Sequence, residues 1–264
     1  MNRYAALTHD PETADLGPDG PRMWSWNLVA HYTSDPATIA AVLPRPLEPT
    51  EPIVRVNMAR VDMPGMTEPL QAGTFSVACR HGDLEGFYDL LMIMSTESAV
   101  VGGRETFGEP KKIGNVSLER RGEGVGAEIV GVMTRKGVDL VEIRGRVAEV
   151  LDPGPVTERY AFYYKLLLDP QGGGFDHDPT FVHVHRTQEN RLAERIDASL
   201  TLRDSPFDPV ADLPVHEVRD VTFFDNHQTQ TGTIVGTVPG EWLWPFRHQR
   251  YDGLMARLAP AATQ

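Results

Sequence analysis

Residues 103–116 read GRETFGEPKKIGNV and set Lys111 and Lys112 side by side, directly after Pro110. Two ammonium groups in a glycine-rich, partly apolar stretch admit two readings: a solvated turn, or an amine held neutral so that it can act as a nucleophile. A lysine in water has a pKa of about 10.4 and must lose its proton before it can attack a ketone. An apolar pocket disfavours the ammonium, and so does a neighbouring positive charge. A depression of ~3 units costs about 4 kcal/mol, which a large folded domain can sustain. If the segment is extended, alternation sends the two side chains to opposite faces, so that one enters a pocket and the other leaves it. Pro110 fixes the backbone before them, and Gly108 and Gly114 permit close packing.

A second constellation is His183-Val184-His185-Arg186-Thr187-Gln188-Glu189, an H-x-H-x3-E pattern. Two histidines two apart on a strand share a face, and a carboxylate can complete a facial ligand set, as in cupin-type metal barrels. The glycine expected before the first histidine and the second histidine-bearing motif are missing, so the expected metal complement is none. The chain has no G-x-x-x-x-G-K-[ST], H-E-x-x-H or G-x-S-x-G motif. Gly122, Gly124 and Gly126 lack dinucleotide-binding spacing and are read as a turn. Asp225, His216, His227 and His248 show no local arrangement of a nucleophilic triad.

The elements that must carry these residues are mostly strands. Ser34-Asp35-Pro36 caps a short helix that Pro44 stops. Alternation marks strands around Val54–Met58 and Phe75–Cys79, and FYDLLMIM (87–94) reads as a strand buried on both faces. Further strands are expected over 126–135, 138–151, 180–187, 192–203, 217–225 and 230–238. Residues 157–168 fit either a strand or a helix, and a closing helix is expected from about 246. The expectation is a mainly β (α+β) fold: one closed, strongly curved antiparallel barrel or cone with a few short helices. Residues 1–21 are read as a loose arm and 22–264 as a single domain.

Composition narrows the partners. The 264 residues are 41% hydrophobic with a net charge of −12, which argues against nucleic acid or an anionic membrane as the main partner. Any anionic substrate then needs local cations. Cys79 is the sole cysteine, no apolar leader is visible, and no uncharged apolar run reaches membrane-spanning length. A cytoplasmic location is expected.

GRETFGEPKKIGN resembles the signature of the acetoacetate decarboxylase family, in which Gly-Arg-Glu precedes Pro-Lys-Lys by a few residues. PRPLEPTEPIVRV (44–56), Thr67-Glu68 with Gln71-Ala72, and LRDSPFDPVADLPVHEV (202–218) resemble further family segments in order. The resemblance spans about residues 20–255. It implies a β-rich cone or barrel assembled into homo-oligomers (dimer, tetramer or larger), acting on a small keto acid without a cofactor. It implies that Lys111 forms a Schiff base, with Lys112 as the second lysine that depresses the first; this family is itself the usual example of a lysine activated in this way. Glu68 matches a pocket glutamate and is the catalytic candidate for proton transfer or for orienting the substrate. The family's pocket arginine falls at Ser25, beside Trp24, and a strand glutamate becomes Asn57. These three, with Arg104 of the Gly-Arg-Glu element, are the substrate-binding candidates. The implied reaction is decarboxylation of a β-keto acid. The alternatives are an aldolase-dehydratase condensing pyruvate or another 2-oxo acid with an aldehyde, a cupin-like metal protein using His183, His185 and Glu189, and a non-catalytic binding barrel.

Overall fold

The computed structural model describes residues 22–62 and 68–252. The arm expected over 1–21 lies outside the described residues, as do Thr67 and the end of the expected C-terminal helix. In chain order the elements are β1 (Trp24–Thr33), α1 (Pro36–Val42), β2 (Glu48–Val61), β3 (Leu70–His81), β4 (Leu84–Met94), α2 (Glu97–Thr106), β5 (Lys111–Ile113), β6 (Asn115–Arg121), β7 (Glu128–Arg135), β8 (Val138–Leu151), β9 (Thr157–Lys165), β10 (Thr180–Leu202), β11 (Glu217–Thr237), α3 (Gly240–Leu243) and α4 (His248–Tyr251).

Seven strands close a barrel in the order β11-β1-β2-β3-β4-β9-β10, with β10 paired back onto β11. The far half of β10 leaves the ring and pairs with β8, which continues through β7 to β6. This second sheet folds against the outer face of β1–β4. The larger apolar core fills the space between them, with Leu28, Val56, Met58, Phe75 and Ile93 meeting Leu118, Ile129, Met133 and Ile143. A smaller cluster of Met92, Met94, Ala161, Tyr163, Val182 and Val184 occupies the opposite face of the ring, which is the barrel interior.

Three differences from the sequence reading have local causes. Pairing is antiparallel except around β4, where β5 and β9 both run parallel to it. A parallel neighbour needs a long crossover, and the excursion through β6–β8 supplies one between β4 and β9. The expected strand pairs 180–187/192–203 and 217–225/230–238 are single long strands. The apparent gaps are polar runs, Gln188–Arg191 and Asn226–Thr229, but most of these residues pair with one another across the barrel wall, where its lining is polar. Residues 157–165 form a strand, and its aromatics alternate between the two cores.

Helix α2 was not expected. Its Gly102-Gly103 pair and two valines weaken the helical signal, while Thr96 caps it by accepting a hydrogen bond from the Ala99 amide. The expected α1 cap is present: Asp35 Oδ1 accepts from the Thr38 amide at 2.7 Å. Gly122, Gly124 and Gly126 all adopt positive φ in the turn between β6 and β7.

Candidate active site

Strand β5 is three residues long, and it sets the direction of both lysines. It lies parallel to β4 with Met92 opposite Lys111 and Ile93 opposite Lys112. Register partners share a face, so Lys111 follows Met92 into the barrel and Lys112 follows Ile93 into the outer core. Lys111 continues a transverse row of register partners, Asn57, Thr74 and Met92, across β2, β3 and β4. Its Nζ lies 2.7 Å from Glu109 Oε2, and the two side chains are 13% and 1% exposed. Gly103 of α2 packs on this pair: a methyl group there would overlap Glu109 Oε2 and Lys111 Nζ.

Lys112 is 4% exposed and already neutralised. Its Nζ lies 2.8 Å from Asp208 Oδ1 and 2.9 Å from Asp252 Oδ1. Arg135 contacts the second oxygen of each carboxylate, Asp208 at 2.6 Å and Asp252. Lys112 and Arg135 are thus each bridged to both carboxylates, and the half-exposed Lys136 reaches Asp252 from the rim at 3.8 Å. Burial pushes the Asp252 carboxyl up, but hydrogen bonds from Arg135 and Lys112 outweigh it and hold the group below the ordinary carboxylate range.

Inside the barrel Glu109 opens a hydrogen-bonded chain across four strands. Arg186 Nη2 donates to Glu109 Oε1 at 3.1 Å and to Tyr163 Oη at 3.0 Å. Tyr163 donates to one oxygen of Asp89, and Ser76 donates to the other. Burial pushes the Tyr163 phenol far up and keeps it protonated. Burial alone would lower Arg186, but Tyr163, Asp89 and Glu109 together lift it above the usual guanidinium value. Arg55 and Arg159 complete the polar lining. Burial lowers Arg55 to about 10, with Asp89 opposing and Arg186 adding to the fall. Arg159 falls further, through burial and then the like charges of Arg55 and Arg186.

The other residues singled out in the sequence lie as follows. Asn57 is buried, and among the described residues neither its Oδ1 nor Thr74 Oγ1 has a hydrogen-bond partner. Ser25 Oγ accepts from Asn27 Nδ2 at 2.9 Å, further along the same interior face. Trp24 alternates to the opposite face, where its ring lies 4.5 Å beneath the Arg191 guanidinium. Arg104 lies on α2 with its guanidinium 5.2 Å from the Tyr251 ring, while its carbonyl accepts from Arg250. Glu68 is exposed and borders an open depression with Arg60, Gln71 and Ser95.

The H-x-H-x3-E residues are separately committed. His183 pairs with His81 at 3.0 Å, His185 with Glu158 at 3.0 Å, and Glu189 with Arg22 at 2.8 Å. Among the described residues no group of three or more His, Cys, Asp or Glu side chains is gathered as a metal requires.

Sequence reasoning missed Glu109, Asp89, Tyr163, Arg186, Arg55 and Arg159. One signal was available, a lone aspartate inside the otherwise apolar FYDLLMIM. A carboxylate there must find partners or destabilise the strand.

The comparisons agree with this geometry. A family model described as acetoacetate decarboxylase (ADC) matches residues 7–237. The acetoacetate decarboxylase of Chromobacterium violaceum is 31% identical over 234 residues, covering 85% of this chain and 92% of its own. A solved acetoacetate decarboxylase superposes with a TM-score of 0.72 at 18% identity, over 88% of this chain and 96% of its own. MppR, an enduracididine biosynthesis enzyme solved with pyruvate, gives 0.69 at 18% identity over 84% and 95%. With Gly103-Arg104-Glu105 and Pro110-Lys111-Lys112 both inside the matched span, the chain belongs to the acetoacetate decarboxylase family.

Proposed function

We propose that this protein is a carbon–carbon lyase in which Lys111 forms an imine with the ketone of a keto acid, most directly for decarboxylation of a β-keto acid. The observation that carries the proposal is the contact of Lys111 Nζ with buried Glu109 Oε2 at 2.7 Å, inside a closed barrel. Family membership and the names of curated relatives support it.

The chemistry follows from that contact. Glu109 takes the ammonium proton, and the freed amine adds to the ketone carbon. Glu109 then returns the proton as the carbinolamine loses water, leaving an iminium. The bond from the α-carbon to the carboxylate breaks, and its electron pair runs to the iminium nitrogen. Carbon dioxide leaves, and the resulting enamine takes a proton at the α-carbon. Water then releases the ketone and regenerates the amine. The proton-transfer role for which Glu68 is the sequence candidate falls to Glu109 here, because Glu109 touches the amine and Glu68 is exposed. Lys112 serves the fold, since Asp208 and Asp252 neutralise it on the other face.

The same imine can lose an α-proton and attack an aldehyde, which is the aldolase-dehydratase reading; the neighbour MppR, solved with pyruvate, keeps it in play. Products separate the two. With acetoacetate the wild-type protein is expected to release carbon dioxide and acetone, and Lys111→Met to release neither above the uncatalysed rate. Enal formation from pyruvate and an aldehyde, without carbon dioxide release from any β-keto acid, would overturn decarboxylation in favour of the second reading.

A further inference from the structure

The barrel interior holds more positive than negative charge. Lys111, Arg55, Arg159 and Arg186 line it, and among the described residues Glu109 and Asp89 are the anions within their network. Lys111 and Arg186 share Glu109, and Asp89 is taken by Ser76 and Tyr163. Arg55 and Arg159 are left over. Among the described residues neither has a carboxylate within ion-pair distance. Arg159 Nη2 donates only to the neutral Gln228 Oε1, at 2.9 Å, and Arg55 lies over the Phe87 ring at 5.9 Å. Arg55 is buried and Arg159 half-buried, and guanidinium groups drawn out of water are ordinarily paired. Around them Asn57 Oδ1, Thr74 Oγ1, Asn226 Nδ2 and Arg186 Nε are buried without hydrogen-bond partners. The register places Asn57 and Thr74 in the row of Met92 and Lys111 and Arg55 in the row next to it, while Arg159 is the register partner of Arg186, whose guanidinium shares Glu109 with Lys111.

Resting on the Lys111 reading, we infer that Arg159 and Arg55 receive a carboxylate that the substrate keeps throughout the reaction, so that the preferred substrate is a keto acid bearing an acid group other than one lost as carbon dioxide. Burial lowers both guanidinium groups, Arg186 repels both and Arg55 also repels Arg159, and a bound anion relieves that repulsion. The restriction to a retained carboxylate follows from the energetics of the chemical step. A departing carboxylate becomes neutral, so an ion pair to it stabilises the ground state more than the transition state and slows its loss. A guanidinium fork spends its binding energy well only on an anion that stays charged. Arginine at these positions also does the work expected of the absent residue at Ser25, from β2 and β9 instead of β1.

The test uses 4-oxopentanoate, a ketone whose carboxylate cannot leave as carbon dioxide through the enamine, beside its methyl ester and 2-butanone. Each is trapped on the wild-type protein with borohydride, and the concentration giving half-maximal adduct is measured by intact mass. The acid is expected to trap at about one-tenth the concentration of the ester or less, as charge-assisted bidentate pairing allows. In Arg159→Gln and Arg55→Gln that preference is expected to shrink towards one, the acid-to-ester ratio cancelling any change in the amine itself, while 2-butanone still gives an adduct at Lys111, which shows that the variants fold. Arg159→Lys is expected to restore only part of it. Equal trapping of acid and ester by the wild type, or a preference that survives the double variant, would overturn this inference alone. No adduct with any of the three would remove the Lys111 reading and this inference together.

Discussion

Glu109 is one residue before the proline that precedes the lysines, yet its role is set by a partner 77 positions away. Its carboxylate lies between the Lys111 ammonium and the Arg186 guanidinium, 1% exposed. Glu109→Gln keeps the size and one acceptor but removes the proton acceptor. Imine formation in a single turnover is expected to slow by about 10²–10⁴-fold, with the adduct still located at Lys111. An unchanged trapping rate would return the proton-transfer role to Glu68 or to water. At this scale the sequence was legible only where the chemistry is local. Strand alternation sends adjacent side chains apart, so the opposed directions of Lys111 and Lys112 could be argued from two letters. Glu109 could not, because a glutamate between Gly108 and Pro110 has the composition of a turn. Asp89, Tyr163 and Arg186 sit on three different strands, and only the closed ring brings them together.

The element that matters most is β5, whose three residues hold their register through β4 alone. Its outward lysine is anchored by Asp208 and Asp252, and Arg135 ties the same two carboxylates to β7. Lys112→Met leaves those carboxylates short of a cation in a buried site, and such losses cost about 3 kcal/mol or more. Chemical denaturation is expected to show that loss. In Lys112→Met/Asp208→Asn, where one cation and one anion leave together, the pH dependence of adduct formation at Lys111 is expected to keep its midpoint, because Lys112 follows Ile93 to the face opposite Lys111. A shifted midpoint in a stably folded variant would show that Lys112 acts on Lys111 directly. Element reading from sequence succeeded where alternation was clean, as in β2, β3 and β8, and where a cap marked α1. It missed α2 because Gly103 there serves the amine at the expense of helix propensity: any side chain would collide with Lys111 and Glu109. It split β10 and β11 because a polar lining interrupts the apolar pattern on which strand assignment rests.

Across the whole molecule, the contrast between outside and inside resolves the question posed by a net charge of −12. The lining concentrates Lys111, Arg55, Arg159 and Arg186 in one enclosed place, so an anion repelled at distance meets local cations at the site. The outer face carries a different pH sensitivity. His183 is held below its ordinary pKa of 6.5 by burial and by His81, and His248 by burial and the charges of Lys112 and Arg247, against a hydrogen bond to the Pro245 backbone that pulls the other way. A histidine depressed in the folded state binds its proton more readily when unfolded. Stability is therefore full above 6.5 and falls as pH drops from 6.5 through the depressed values. Urea midpoints at about pH 7.5 and 5.5 are expected to show that fall, and His183→Gln to make it shallower. A fall of equal size in the variant would assign the effect elsewhere. A mainly β barrel was readable from many short strands, whereas the ring with its overlying second sheet was not, because partner exchange along β10 is a tertiary event.

The most direct measurement is reductive trapping followed by peptide mapping. The protein is incubated with acetoacetate, reduced with borohydride and digested, and the adduct is located by mass. The account predicts a single modified residue, Lys111, and no adduct in Lys111→Met. An adduct on Lys112 or on surface lysines with Lys111 untouched, or no adduct at all, would contradict it.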